Sequence, residues 1–194
     1  MMASKARAAM LSAFLALCLL VAIPTQAAGD ATLGGSFNLV DQNGTLRTDA
    51  DYHGSYPLIY FGFTHCPDLC PRSLGAMGAA IDDLAARAPA KAQRVVPILI
   101  TVDPARDTVA AMKSYVASFH PRLVGLTGSA EEIERVTRAF GAFYAPVPEN
   151  GGGYAMDHSG FILLMGPEGE YVTHFEPNVV AEELAAELER RIAQ

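Results

Sequence analysis

Two cysteines four positions apart, Cys66 and Cys70, carry the strongest chemical signal, in the run Gly62-Phe63-Thr64-His65-Cys66-Pro67-Asp68-Leu69-Cys70-Pro71. Cys66 falls between an apolar, β-rich run and an amphipathic stretch opening at Pro71, which puts it near a helix N-terminus. Unpaired backbone N–H groups and the helix dipole favour the thiolate there, the form that binds metal or attacks a disulfide. Residues four apart share one helix face with Cα atoms about 6 Å apart, a span that suits a disulfide or two ligands to one soft ion. Dedicated thiol oxidoreductases with paired cysteines use two intervening residues, whereas here there are three, Pro67, Asp68 and Leu69, which favours shared metal ligation. A purely structural crosslink is the weaker reading, because a bridge closing so short a loop removes little unfolded-state entropy.

Two thiolates leave a monovalent copper ion short of donors, and imidazole is the usual third. Of five histidines, His158 stands in Tyr154-Ala155-Met156-Asp157-His158-Ser159, expected as a loop before a hairpin strand and facing the cysteine loop in a thioredoxin-like arrangement. On the residues alone, a locally hydrogen-bonded loop histidine is the plainer account of it. His65 adjoins Cys66 and is expected to point to the opposite side, His120 before Pro121 reads as a helix cap, and His53 and His174 have no partner motif. Met156 is soft but reads as core. Asp103, in Val102-Asp103-Pro104-Ala105-Arg106-Asp107-Thr108, is expected at the same sheet edge as Cys66. It is suited either to orienting His158 and tuning the thiols or to a local pair with Arg106. Asp107 followed by Thr108 reads as an N-cap.

Alternating strand and helix patterns position these groups. Strands are expected over 36–40, 56–63, 95–102 and 123–126, and as a pair over 160–165 and 170–175 around Gly166-Pro167-Glu168-Gly169. Helices are expected over 71–87 and 108–119, from Ser129 with Glu132 as its capping-box partner, and over 178–192. Residues 146–153 read as a loop or hairpin tip. Pro97 sits awkwardly in the third strand, marking either its true start or an interruption of its ladder. The order describes an α/β, thioredoxin-like sandwich with a central mixed sheet, flanking helices and an added hairpin.

The chain has 194 residues, 51% of them hydrophobic, enough for one buried core. Lys5 and Arg7, then an apolar run from Ala8 to Ile23 and small residues to Ala28, read as a leader over 1–28, cleaved or retained as an anchor, ahead of one domain over 29–194. Cys18 lies inside that run and has no assigned role. Losing Lys5 and Arg7 leaves 12 basic against 21 acidic residues, −9 in place of −7, which argues against a nucleic-acid partner. Only two cysteines would then remain in an oxidising compartment, so the pair reads as functional.

The chain resembles the SCO/SenC family of thioredoxin-fold copper proteins that assist cytochrome c oxidase assembly. The resemblance rests on the cysteine motif, on Val102-Asp103-Pro104 with Arg106-Asp107-Thr108, on Phe119-His120-Pro121 leading to Gly125-Leu126-Thr127-Gly128, and on Asp157-His158-Ser159. Gly166-Pro167-Glu168-Gly169 departs from the Asp-Pro turn of many members and touches only the hairpin. The resemblance implies that Cys66, Cys70 and His158 ligate copper, as Cu(I) or Cu(II), with Asp103 the acidic residue nearby. It implies a metallochaperone rather than an enzyme, exported to the periplasm or outer face of the inner membrane. Its implied partners are oxidase subunit II, whose binuclear copper centre it serves, and periplasmic copper chaperones or thiol reductases. A thiol:disulfide reductase acting on the cysteines of that centre is the alternative, and a redox or copper sensor a third reading.

Overall fold

A computed structural model of the chain describes residues 33–149 and 151–193, so the expected leader and Cys18 lie outside the described residues. The elements are β1 (Asn38–Asp41), β2 (Leu46–Thr48), β3 (Tyr56–Gly62), α1 (Leu69–Arg87), α2 (Pro89–Arg94), β4 (Val95–Thr101), α3 (Val109–Val116), β5 (Val124–Thr127) and α4 (Ala130–Ala139). They continue with β6 (Tyr144–Pro148), β7 (Tyr154–His158), β8 (Ile162–Met165), β9 (Tyr171–Phe175) and α5 (Ala181–Arg191). Seven strands form one sheet in the order β2-β1-β5-β4-β3-β8-β9, with β3, β4 and β5 parallel and the outer strands antiparallel. This is the expected mixed thioredoxin-like sheet flanked by helices. No helix among the described residues is long and apolar enough to cross a membrane.

Every residue of β3 is buried, as a continuous apolar run covered on both faces must be. Pro97 stays within β4 opposite Leu58, but the ladder to β5 begins only at Ile98, so the proline stands where that ladder has not started. Helix α1 packs against α5 and against β3 and β4, burying Leu74, Met77, Ile81 and Leu84 at helical spacing. Helix α4 opens with the expected capping box of Ser129 and Glu132.

Three local readings change. Residues 146–153 carry a hairpin tip, as one of the two expectations had it, but 146–148 already belong to β6 and His158 is the last residue of a strand and not part of a loop: β6 and β7 pair antiparallel from Tyr144 opposite His158 to Pro148 opposite Tyr154, as a second sheet. Pro146 and Pro148 hid β6, since proline is tolerated in edge strands yet reads as a breaker in sequence. The α3 cap is Thr108, whose hydroxyl accepts the Ala111 N–H, while Asp107 is buried and bonds elsewhere. His120 is also buried: its Nδ1 accepts the Arg122 N–H and its Nε2 lies 3.4 Å from Asp82 of α1.

Candidate metal centre

The parallel strands β3 and β4 end at the same edge, and the loops leaving them build the centre. From Gly62 the chain turns through Thr64 and Cys66 into α1, which places Cys70 in its first turn. The Cys70 N–H donates to the Cys66 sulfur at 3.3 Å, an unpaired helix N-terminal donor meeting a thiolate. Both cysteines are free thiols; Cys66 is half-buried and Cys70 is 0% exposed. Gly62 is obligatory for this packing, because a Cβ there would lie 2.8 Å from the Cys70 sulfur and 2.8 Å from the Tyr60 ring.

The two sulfurs share one proton. The thiol of Cys70 and then backbone N–H groups stabilise the Cys66 anion against the cost of its burial, and bring its pKa down to about 4. The neighbouring Cys66 anion, and then burial, push the Cys70 thiol far up, so Cys70 keeps the remaining proton.

His158 arrives from the other side, on β7. Its Nδ1 lies 2.9 Å from the Ser159 carbonyl oxygen, which only accepts, so Nδ1 carries a hydrogen and in the neutral imidazole the lone pair falls on Nε2. That Nε2 sits 3.6 Å from the Cys70 sulfur. The edges of Tyr60 and Phe63 pack against the imidazole at centroid distances of 6.0 and 5.6 Å. Ser159 is pinned in turn, donating its N–H to the Phe143 carbonyl and accepting the Phe143 N–H on its hydroxyl, both at 2.9 Å.

The donor atoms of Cys66, Cys70 and His158 all lie within 4.8 Å of one another. A thiolate and an imidazole bound at roughly 2.0–2.3 Å and about 120° to one ion sit about 3.8 Å apart, so the Cys70–His158 pair needs little adjustment. Two sulfurs and one nitrogen form a soft, three-donor set that suits copper(I).

Asp103 does not touch this donor set. Its carboxylate is buried, accepts from Arg106 Nε, and accepts the Tyr154 hydroxyl at 2.9 Å, which holds the Tyr154 pKa up. Arg106 also donates to the Tyr154 carbonyl at 2.9 Å and lies 3.9 Å over its ring. The trio therefore fastens the start of β7 to the loop after β4, at the opposite end of the strand from His158. His65 is exposed and bonds Thr64, His174 contacts Tyr171, and Met156 packs partly against the core.

Sequence reasoning missed Asp107, Tyr60 and Gly62. The period-two alternation of β3, which puts Tyr60 and Gly62 on one face, was the available signal for the last two.

The family pattern described as SCO1/SenC matches residues 25–193. The chain is similar to Protein SCO1 homolog, mitochondrial, of Homo sapiens, with 42% identity over 161 residues, 82% of this chain and 53% of that protein. Among solved structures it is similar to Arabidopsis thaliana ScoI with copper bound (40% identity, TM-score 0.78, covering 82% of this chain and 97% of that one). It is also similar to Bradyrhizobium japonicum ScoI with copper bound (42% identity, TM-score 0.75, covering 82% and 99%). The chain spans between half and two thirds of the length of the human protein and of a bovine relative.

Proposed function

The chain belongs to the SCO1/SenC family, and from that premise we propose that it is a copper metallochaperone of cytochrome c oxidase assembly. It binds copper through Cys66, Cys70 and His158 and delivers it to, or prepares, the binuclear centre of subunit II. The observation that carries this reading is the convergence of three soft donors within 4.8 Å, with the His158 Nε2 lone pair freed by the Nδ1 bond to Ser159. The copper-bound relatives support it. In binding, Cys66 enters as the thiolate it already is, Cys70 surrenders its proton to solvent, and His158 supplies its lone pair. The half-exposed Cys66 gives a partner's ligands a side from which to displace these donors one at a time.

The test is copper(I) titration of the reduced protein with thiol counting. One ion per chain is expected, lost in Cys66→Ser and in Cys70→Ser; equal copper content in wild type and the double variant overturns the assignment.

One observation favours a second reading as thiol:disulfide reductase: a half-buried thiolate, Cys66, is backed by a buried thiol, Cys70, as attacking and resolving groups are. Cys66 would attack a partner disulfide and form a mixed disulfide; Cys70 would then displace it, leaving Cys66–Cys70 oxidised and the partner with two thiols. Such an exchange has no need of His158. The same proposal includes export of the chain by residues 1–28 to the periplasm or the outer face of the inner membrane.

A further inference from the structure

Tyr60 is 0% exposed, and a buried phenol has to place its hydrogen on an acceptor or bear the cost of an unmade bond. Its hydroxyl donates to the Cys70 sulfur at 3.9 Å, with the Ser73 hydroxyl close beside it. The pairing is built into β3. Tyr60 and Gly62 share a face of the strand, and the missing Cβ at Gly62 leaves the hollow in which the phenol ring and the sulfur meet. The same ring packs edge-on against the His158 imidazole, so Tyr60 is hydrogen-bonded to one donor of the centre and packed on another. Neither nearby hydroxyl bonds the sulfurs: the hydroxyl oxygens of Ser73, one turn after Cys70 on α1, and of partly buried Tyr115 are shielded from solvent and have no sulfur partner among the described residues, Ser73 lying instead beside the Tyr60 hydroxyl.

We propose that Tyr60 is a positioning residue for the thiol pair, whose hydroxyl donates to Cys70 and biases the pair toward the reduced, copper-competent form. The Cys70 sulfur of the reduced pair, which shares its hydrogen with the Cys66 thiolate, or a thiolate bound to metal, carries more negative charge than a disulfide sulfur and accepts a hydrogen bond better. The bond therefore weakens when Cys66 and Cys70 join, the pair giving two electrons and its one proton to a disulfide oxidant, which takes a second proton from solvent and leaves as a dithiol. The inference rests on the reading of Cys66 and Cys70 as the working pair, but its test needs no copper.

The experiment is equilibration of Tyr60→Phe and wild type in dithiothreitol redox buffers, with the Cys66–Cys70 disulfide fraction read by alkylation and mass. The equilibrium should move at least threefold toward the disulfide in Tyr60→Phe. Tyr60→Leu, which also removes the ring, separates hydroxyl from packing: a Phe variant equal to wild type beside a shifted Leu variant overturns the proposal. Should Tyr60→Phe fail to fold, 4-fluorophenylalanine at position 60 keeps the ring shape without the donor. An unchanged equilibrium there sinks the idea equally. Loss of copper binding in Cys66→Ser tests the functional reading separately, so the two failures are distinguishable.

Discussion

The buried carboxylate of Asp107 accepts both the backbone N–H of Thr64 at 3.0 Å and its hydroxyl at 2.6 Å, although the two residues lie 43 positions apart. It also accepts the Thr101 hydroxyl at 2.6 Å, and its own carbonyl takes the Thr127 hydroxyl at 2.9 Å. One residue thus ties the loop that carries Cys66 to the ends of β4, through its side chain, and β5, through its carbonyl. Asp107→Asn exchanges an acceptor for an amide that opposes donors already in place. Hydrogen bonds to a buried charged group contribute about 1.5–3 kcal/mol, so urea unfolding should report a loss of about 2 kcal/mol. A change below about 0.5 kcal/mol would show that the loop is held by other contacts.

The thiolate of Cys66 gives a pH signature. An ordinary thiol, with a pKa of about 8.5, alkylates roughly tenfold more slowly for each unit that pH falls below that value. With its pKa lowered to about 4, Cys66 should react with iodoacetamide at a nearly constant rate from neutral pH down to about pH 5, then slow as pH approaches 4. A thiol more acidic in the folded than in the unfolded chain contributes stability that is complete above the unfolded value and lost as pH falls through the folded one. The reduced protein should therefore become less stable on acidification between about pH 9 and pH 4, and Cys66→Ser should flatten that dependence. A rate that rises tenfold per unit from pH 6 to 8 would refute the depressed value.

How far these features were legible depends on whether they are periodic or relational. The sheet strands showed because β3 and β4 are unbroken apolar runs, and α1 because Leu74, Met77, Ile81 and Leu84 recur on one face. Cys66 and Cys70 announced themselves by spacing. His158 did not, because nothing local distinguishes it from His65 or His174; its role emerges from the pairing of β7 with β6 and from the Ser159–Phe143 clamp. Asp107 was read as a cap, since an Asp before the helix-opening Thr108 satisfies that local pattern, while the bonds it makes reach Thr64 and Thr101 across the fold. Asp103 fell between its two readings: it makes the local pair with Arg106 and serves His158 only through the far end of β7.

His158 separates the two functional readings. Its Nε2 lies 3.6 Å from the Cys70 sulfur, and the Cys70 N–H bond to Cys66 does not involve it. His158→Ala therefore removes a metal donor and leaves the helix-terminal environment of the thiols in place. Copper(I) affinity, measured by competition with a chromogenic chelator, should fall at least tenfold, about 1.4 kcal/mol. The Cys66–Cys70 pair should still form and break its disulfide in a redox buffer, and oxidase assembly in cells should fall in step with copper retention. Asp103→Asn, which loosens the hold of Arg106 and Tyr154 on the start of β7, should weaken copper binding less than His158→Ala, because the donor remains and only its support is changed. If His158→Ala leaves copper affinity and oxidase assembly at wild-type levels while Cys66→Ser abolishes assembly, the imidazole is no ligand. The thiol pair would then act by disulfide exchange alone.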